Sequence, residues 1–419
     1  MPQLPAGNAP SAWITGDKRG PEIQVWSLST SERHRRLLTR AGCGSVRTLD
    51  ANEDPGDPRT PSVMIVRSDA ILDERLVTGL FAARNTVLVV DRAHHAGWGG
   101  AVAAHVDSEH AAMILRELQR AGERESPATS QSEAPTPASD IRFASPGDLA
   151  SAYSAQLRKF DPPYIYPARV EKVREVEDRI FQSSYKGVTD LITKWLWPRP
   201  AAAVVRVLAR AQIQPNAVTA LSWLLAVAAG VLFWKGWFAF GLACGWLMTF
   251  LDTVDGKLAR VTLTSSRFGH VFDHALDLIH PPLWYLAWSL GVSGTVDAAA
   301  IVVIAGYLLG RGLEGIFILA FKIETHCWRP IDSLFRTITA RRNPNLLLLS
   351  VATLGGRPDL GLVMVAIWTV VCMGFHIERI LQALFEKSRG IRIECWDETS
   401  HAEPKPAQGG SQPDSEDVR

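Results

Sequence analysis

The chain has 419 residues, with 44 lysines and arginines against 43 aspartates and glutamates, and a formal net charge of +1. This length predicts two domains, and the balanced charge provides no overall electrostatic attraction for nucleic acid. Hydrophobic residues make up 47% of the chain while the mean hydropathy is near zero, which predicts a soluble part joined to a membrane part. The five cysteines lie far apart without a CxxC pair, so neither a disulfide framework nor a zinc site is expected.

Residues 1–121 are predicted to form a cytosolic α/β domain. The opening segment 1–13 has no charged region followed by an apolar one, so no signal peptide is expected. Three apolar or β-branched runs are typical of strands: Glu22–Trp26, Ser62–Val66 and Thr86–Val90. Three segments have helical spacing: Arg33–Ala41, Leu72–Arg84 and His110–Ala121. Ser29 and Glu32 are predicted to form a capping box at the start of the first helix.

The alternation of strand and helix predicts a doubly wound, parallel sheet of Rossmann-like type. In pattern it resembles a sugar-nucleotide-type nucleotidyltransferase domain, and Asp69 lies where that family often places a metal-binding aspartate. The glycine-rich nucleotide loop that should open such a domain is missing from residues 12–20. The resemblance therefore implies a degenerate domain with a structural or regulatory role, and no second active site.

Residues 122–165 are predicted to form a flexible linker, because the first part of this segment is rich in Ser, Pro, Ala and Glu. Residues 166–214 are predicted to form juxtamembrane amphipathic helices, since apolar residues recur at helical spacing there and Trp195 and Trp197 lie near the end of that run. Two interpretations stay open for this segment. It is either a helix along the membrane surface or an ordinary amphipathic helix packed on the soluble domain.

Residues 215–386 carry six apolar segments and are predicted to form the membrane domain, followed by a disordered cytosolic tail at 387–419. The segments are about Ala217–Trp234, Gly236–Leu258, Phe268–Leu290, Ala298–Phe321, Leu346–Leu354 and Leu362–Leu384. The fifth is too short to cross a bilayer core of about 30 Å, so it is expected to begin earlier or to break around Pro344.

The distribution of basic residues predicts the orientation in the membrane. One side carries many lysines and arginines, whereas the other carries only Lys235 and Arg357. Because cytoplasmic loops are enriched in Lys and Arg, the N-terminal domain, the segment 252–277 and the C-terminal tail are all predicted to be cytoplasmic.

Four aspartates stand at the ends of two apolar segments, where a charge needs compensation. Asp252 and Asp255 lie on one helical stripe, and Asp273 and Asp277 are four residues apart and share a face of the next helix. Two such helices side by side would direct four carboxylates into one pocket. Hard oxygen ligands of this kind favour magnesium or manganese.

Small and basic residues accompany the acids. Gly256 and Ala259 continue the stripe and leave a groove beside the carboxylates, wide enough for a flat or phosphorylated ligand. Arg260 adds a guanidinium fork that matches a phosphate. An acidic loop between helices is the alternative interpretation, but it gives no reason for the glycines, the alanine and the arginine.

The segment 252–277 matches the pattern D-x2-D-G-x2-A-R-x8-G-x3-D-x3-D, and the region 166–386 thereby resembles the CDP-alcohol phosphatidyltransferase family. The two-part arrangement is similar to archaeal-type bifunctional members. The resemblance implies an all-α integral membrane domain of six transmembrane helices at the cell inner (plasma) membrane. It also implies a homodimer surrounded by membrane lipids, and two Mg²⁺ or Mn²⁺ ions per active site.

The family's reaction displaces CMP from a CDP-alcohol by the hydroxyl of a second alcohol. By resemblance, Asp277 is both a metal ligand and the base that takes the proton from that hydroxyl. The positions expected to contact the CDP-substrate are Asn216, Thr219, Gly256, Ala259, Arg260, Ser266 and Gly269. Helix capping is the alternative role for Asn216 and Thr219.

The cytoplasmic loop before the fifth apolar segment is the densest basic patch of the chain. Its arginines are expected to bind either the acceptor or anionic lipid heads: Arg329, Arg336, Arg341 and Arg342. CDP-diacylglycerol is the favoured donor, with a soluble CDP-polyol as the alternative. A cation-binding membrane transporter is the non-enzymatic alternative, since buried acids alone would also fit that function.

Overall fold

The computed structural model describes residues 9–16, 22–50, 53–92, 98–123, 140–154, 156–265, 267–294 and 296–396, and only the backbone of residues 267–277. The strands of this part of the chain are β1 Ser11–Thr15, β2 Gln24–Val25, β3 Leu28–Ser29, β4 Ser45–Leu49, β5 Ser62–Arg67, β6 Ala70–Leu72, β7 Thr86–Val90, β8 Gly100–Asp107, β9 Arg142–Ala144, β10 Tyr153–Ser154, β11 Lys159–Phe160 and β12 Ile165–Pro167. The α-helices are α1 Thr30–Ala41, α2 Glu74–Ala82, α3 Ser108–Glu123, α4 Pro146–Leu149, α5 Val173–Ser183, α6 Pro198–Arg210, α7 Pro215–Trp234, α8 Phe238–Val261, α9 Arg267–Gly291, α10 Asp297–Phe321, α11 Pro330–Arg336, α12 Arg342–Leu354 and α13 Pro358–Ser388.

The N-terminal region is an α/β unit, as predicted, but its sheet is mixed and not parallel throughout. The strand order is β4-β1-β5-β8-β7-β9, and β8 runs antiparallel to both β5 and β7. Only the connection 91–99 separates β7 from β8. A parallel pair needs a crossover of about a dozen residues or more, so this short connection forces the chain to reverse. The prediction missed β8, and with it the antiparallel pairing.

Helices cover both faces of this sheet. Successive side chains of a strand point to opposite faces, and every position of β5 is buried. Met64 and Val66 belong to the same core as Leu37 of α1 and Leu80 of α2. The alternate residues of β5 belong to a second core with the apolar face of α3.

Part of the predicted linker 122–165 is instead built into the α/β unit. β9 extends the sheet as a parallel neighbour of β7, and β12 pairs antiparallel with β6. β6 and β12 form a two-stranded sheet of their own, and the composition of the segment indicated neither β9 nor β12. Residues 124–139 lie outside the described part of the chain.

The predicted juxtamembrane region contains two amphipathic helices that share one buried cluster with α8. α5 packs on the α/β unit, where Phe181 stacks on Trp26 with ring centroids 5.7 Å apart. α6 places its buried residues, such as Val205, in the same core as Leu258 of α8. A π-helical turn at Ile192–Leu196 precedes α6, and Trp195 remains 61% exposed. α5 therefore packs both on the α/β unit and on the helical region, Trp195 is exposed, and a location of this segment along the membrane surface stays a prediction.

The C-terminal region is helical, and each of the six predicted apolar segments forms a helix. Within the described residues, four helices are long and apolar enough to cross a membrane: α7, α8, α10 and α13. α12 has 13 residues and is therefore about 20 Å long, short of a bilayer core of about 30 Å. It begins at Arg342, so Pro344 lies in its first turn, where a missing N–H costs nothing. Six spans remain a prediction.

Candidate active site

The first turn of α7 faces the acidic end of α8. The Thr219 hydroxyl lies 2.6 Å from Oδ2 of Asp255, and the Asp255 residue is only 6% exposed. One turn further along α7, the Ser222 hydroxyl donates to the Met248 carbonyl at 3.1 Å. Thr219 was predicted to contact the nucleotide, whereas here it orients a carboxylate of the predicted metal site. Asn216 is exposed in the same first turn and is open to a ligand.

Asp252 forms an ion pair with Arg342, the first residue of α12. Each side chain is 19% exposed, so the pair is shielded from water without being fully enclosed. This contact joins two groups that the sequence placed in separate roles, a metal ligand and an acceptor-binding arginine. The acidic stripe of α8 and the basic patch are therefore continuous.

The signature arginine of α8 is held by the segment that follows α5. Arg260 Nη1 donates to the Ser184 carbonyl at 2.9 Å, and Lys257 Nζ donates to the same oxygen at 2.8 Å. Lys257 also lies 3.5 Å from the centroid of the Tyr185 ring. A methyl group added at Gly256 would lie 3.8 Å from Arg260 Nη2. This is an ordinary van der Waals distance, so the groove beside Gly256 stays a prediction.

Four of the predicted site positions have no described side chain. Ser266 lies outside the described residues, and for Gly269, Asp273 and Asp277 only their position on the helical backbone of α9 is described. Among the side chains that are described, no group of three or more His, Cys, Asp or Glu residues could hold a metal ion. The side chains of Asp273 and Asp277 are not among the described ones, so the four-carboxylate site stays a prediction.

Arginines from three elements meet at a cavity next to Asp252. The cavity is lined by Asp190, His280, Pro281, Tyr307, Arg311, Arg336, Arg341, Arg342, Asn343 and Pro344. Glu314 of α10 pairs with Arg341 and lies 3.5 Å from Arg311. Among the described residues the buried Nη1 atom of Arg336 has no hydrogen-bond partner. Burial, followed by repulsion from Arg341, lowers the pKa of Arg336 to about 9. These features suit an anionic ligand.

Arg329 does not belong to this cavity. It pairs with Glu386 at the end of α13, and its guanidinium lies 4.5 Å from the Trp328 ring centroid. Conversely, the sequence interpretation missed Arg311 and Asp190, which line the cavity. The sequence did contain an indication for Arg311, because a charged residue within an apolar helix such as α10 is by default a candidate functional residue. Asp190 had none.

The N-terminal aspartate singled out by the nucleotidyltransferase resemblance is already paired. Arg67 donates to Asp69 through Nε at 2.8 Å and through Nη2 at 2.5 Å, and Trp98 Nε1 donates to Oδ2 at 3.0 Å. Arg67 is 2% exposed, so this bidentate pair is held inside the domain. Asp69 lies beside a cleft at the carboxyl ends of β1, β4 and β5, but its oxygens are committed to the arginine.

Comparison with known proteins finds a family model that matches part of the helical region. The family model described as CDP-alcohol phosphatidyltransferase matches residues 212–375. The chain is 34% identical over 107 residues to CDP-diacylglycerol--serine O-phosphatidyltransferase of Helicobacter pylori (strain ATCC 700392 / 26695), covering 23% of this chain and 44% of that protein. It is 33% identical over 153 residues to a bifunctional IPC transferase and DIPP synthase of Rubrobacter xylanophilus, covering 36% of this chain and 33% of that protein.

A solved structure of Mycobacterium tuberculosis phosphatidylinositol phosphate synthase with CDP-DAG bound is also similar. It covers 43% of this chain and 94% of that chain at 18% identity, with a TM-score of 0.35. The aligned segments span less than half of the length of the curated relatives, 44% and 33%. The family match confirms, for the helical region, the resemblance drawn from the acid motif. The matched residues 212–375 do not include the N-terminal unit.

Proposed function

We propose that the protein transfers a phosphatidyl group from CDP-diacylglycerol to the hydroxyl of a polar acceptor, with release of CMP. The match of residues 212–375 to the CDP-alcohol phosphatidyltransferase model supports this reaction class. The observation that carries this proposal is the Asp252–Arg342 ion pair. It brings the acidic stripe of α8 next to a cavity lined by arginines. The proposed metal and donor site on α8 is thus adjacent to the proposed anion site in the cavity. A reaction between two substrates requires two such neighbouring sites.

Asp252 and Asp255 fit a divalent cation, because they present hard carboxylate oxygens along one stripe. Asp273 and Asp277 are proposed to complete the set for two Mg²⁺ or Mn²⁺ ions. Such ions, when bound, neutralise charge on the pyrophosphate and on the departing CMP. Thr219 supports this assignment by orienting Asp255 from outside the ligand set, as partners of metal ligands commonly do.

In the proposed reaction, Asp277 accepts the proton of the acceptor hydroxyl. The acceptor oxygen forms a bond to the phosphorus that carries diacylglycerol, and the bond from this phosphorus to the CMP oxygen breaks. Arg260 and Gly256 are proposed to contact the phosphates of the donor. Asn216, Ala259, Ser266 and Gly269 are the further positions proposed for the CDP moiety.

The arginine-lined cavity favours an acceptor that carries a phosphate. Arg336 contributes a buried Nη1 atom that has no partner within the described part of the chain, and Arg311 and Arg341 both contact the carboxylate of Glu314. A buried donor without a partner is costly, and a phosphate supplies acceptors for several guanidinium groups at once. We therefore assign the acceptor site to Arg311, Arg336, Arg341 and Arg342, and not to Arg329.

The proposed setting is the cell inner membrane, with six spans, a homodimer, and the N-terminal domain and the active site in the cytoplasm. The apolar helices of this region support the membrane part of the proposal. The excess of Lys and Arg on one side supports the orientation.

The test is CMP release by the purified protein in lipid vesicles with Mg²⁺. CDP-diacylglycerol is offered with inositol phosphate, glycerol phosphate, inositol or serine, and a parallel arm offers a soluble CDP-polyol in place of the lipid donor. We expect CMP release with the lipid donor and a phosphorylated polyol. Activity with serine alone would refute the phosphate assignment, and activity only with the soluble donor would establish the alternative donor. No CMP release in any arm would refute the transferase and favour the transporter.

A further inference from the structure

The connection between the two acid-bearing helices enters the N-terminal α/β unit. α8 ends at Val261 and α9 begins at Arg267. Between them, Leu263 is 7% exposed and belongs to the same buried cluster as Leu37 and Leu38 of α1. A residue from the membrane domain is therefore part of the core of the soluble domain.

The backbone at this residue shows that its side chain matters. Leu263 has a φ of 54°, and the Thr264 amide donates back to the Ala259 carbonyl at 2.9 Å. This is the left-handed position that ends many helices and that strongly favours glycine. A leucine is strained in this conformation, which glycine adopts more easily. Burial of the Leu263 side chain in the soluble domain offsets the energetic cost of that strain.

Two arginines of α1 hold the same end of α8. Arg33 Nη1 donates to the Val261 carbonyl at 3.2 Å, and Arg36 Nη1 donates to the Thr262 carbonyl at 2.7 Å. The last carbonyls of a helix lack partners within the helix and carry partial negative charge. The α1 arginines therefore cap α8 from outside the membrane domain.

We propose that the N-terminal domain is a positioning domain, which holds the α8–α9 connection and so sets the distance between the carboxylates of α8 and those of α9. Arg33, Arg36 and Leu263 are the positioning residues. This inference rests on the proposed transferase function, because the two helices together are assigned the metal ligands. Ligands on two separate helices bind a metal well only if the geometry between the helices is maintained.

The chain offers a matched control for this idea. Arg35 is a neighbour of Arg36 and pairs with the same carboxylate, Glu32. Its side chain is 56% exposed, and its guanidinium is directed to Glu32 without the bond to α8 that Arg36 makes. Arg35→Gln removes one positive charge from the same helical turn and should leave the hydrogen bonds from Arg33 and Arg36 to the end of α8 intact.

The experiment compares Arg36→Gln and Leu263→Gly with Arg35→Gln in the full chain. Mn²⁺ binding is titrated by electron paramagnetic resonance without CDP-substrate, and CMP release is measured against Mg²⁺ concentration. We expect Arg36→Gln and Leu263→Gly to weaken Mn²⁺ binding and raise the half-activating Mg²⁺ concentration by about tenfold or more. Arg35→Gln should match wild type. Leu263→Met, which keeps an apolar side chain of similar size, should restore at least half of the loss.

Wild-type Mn²⁺ affinity in both Arg36→Gln and Leu263→Gly would overturn the proposal, as would equal losses in Arg35→Gln. If Leu263→Gly does not fold, Arg36→Gln decides the outcome, because its side chain is 28% exposed. Failure of the transferase function is recognised separately. In that case wild-type protein releases no CMP, while the Mn²⁺ titration still compares the variants.

Discussion

The contact between Thr219 and Asp255 leads to a quantitative prediction about the metal dependence. The Thr219 hydroxyl has two acceptors within reach, the Asp255 carboxylate at 2.6 Å and the Pro215 carbonyl at 3.1 Å. A hydroxyl carries one proton, and a bond to a charged acceptor is the shorter and stronger of the two. Thr219 therefore donates to Asp255 and orients a carboxylate that is almost fully buried.

Thr219→Val keeps the shape of the side chain and removes this donor. A hydrogen bond to a charged group contributes about 1.5–3 kcal/mol, which corresponds to about 10- to 150-fold in an equilibrium constant. Loss of a partner of a metal ligand usually weakens metal affinity by about 10–100-fold. We expect the half-activating Mg²⁺ concentration to rise by an amount in that range, while the rate at saturating Mg²⁺ stays near that of wild type.

The assay is CMP release in vesicles over a range of Mg²⁺ concentrations. Ser222→Ala is the control. The Ser222 hydroxyl also donates a hydrogen bond from α7 to α8, but its acceptor is the neutral Met248 carbonyl. Thr219→Ser should restore most of the Mg²⁺ affinity. The reasoning is wrong if Thr219→Val keeps the wild-type Mg²⁺ dependence, or if Ser222→Ala shifts it equally.

Four further predictions concern the metals, the base, the acceptor and the N-terminal domain. Excess chelator should abolish CMP release and added Mg²⁺ or Mn²⁺ should restore it, because the carboxylates of the proposed site repel one another without cations. Asp277→Asn should lower turnover by about 10²–10⁴-fold with donor binding nearly intact, whereas Asp255→Asn should weaken Mn²⁺ and donor binding in direct titrations. Arg336→Gln should raise the acceptor KM by at least about tenfold with little change in kcat, as measured by CMP release. The protein should release no pyrophosphate from CTP and a phosphopolyol, because Asp69 is held by a buried arginine.

Each of these predictions has a result that would contradict it. Turnover in excess chelator would remove the metals from the mechanism. Equal loss of donor binding in Asp277→Asn and Asp255→Asn would make Asp277 chiefly a ligand. Arg329→Gln is the control for the acceptor site, since Arg329 pairs with Glu386 outside the cavity, and an equal KM effect there would point to general electrostatics. CTP-dependent pyrophosphate release would show a second active site.

Features that depend on the local order of residues were predictable from the sequence. Long apolar runs predicted six helices of the C-terminal region, and short β-branched runs predicted the strands β5 and β7, because run length and side-chain type distinguish the two kinds of element. Ser29 was predicted to cap α1, and its hydroxyl does accept from the Glu32 amide at 3.2 Å. The acid motif carried the family resemblance for the same reason, since its spacing places the acids on helical faces.

The tertiary structure alone decided which of these elements and side chains meet. Thr219 and Asp255 are 36 positions apart and Arg342 is 90 positions from Asp252, and no periodic pattern links such pairs. The same holds for Leu263, whose place in the core of the soluble domain depends on how two domains dock. Secondary structure follows from neighbours along the chain, whereas a binding site follows from packing between distant segments. The contacts that support the proposals for the arginines and for the N-terminal domain are therefore visible only in the tertiary structure.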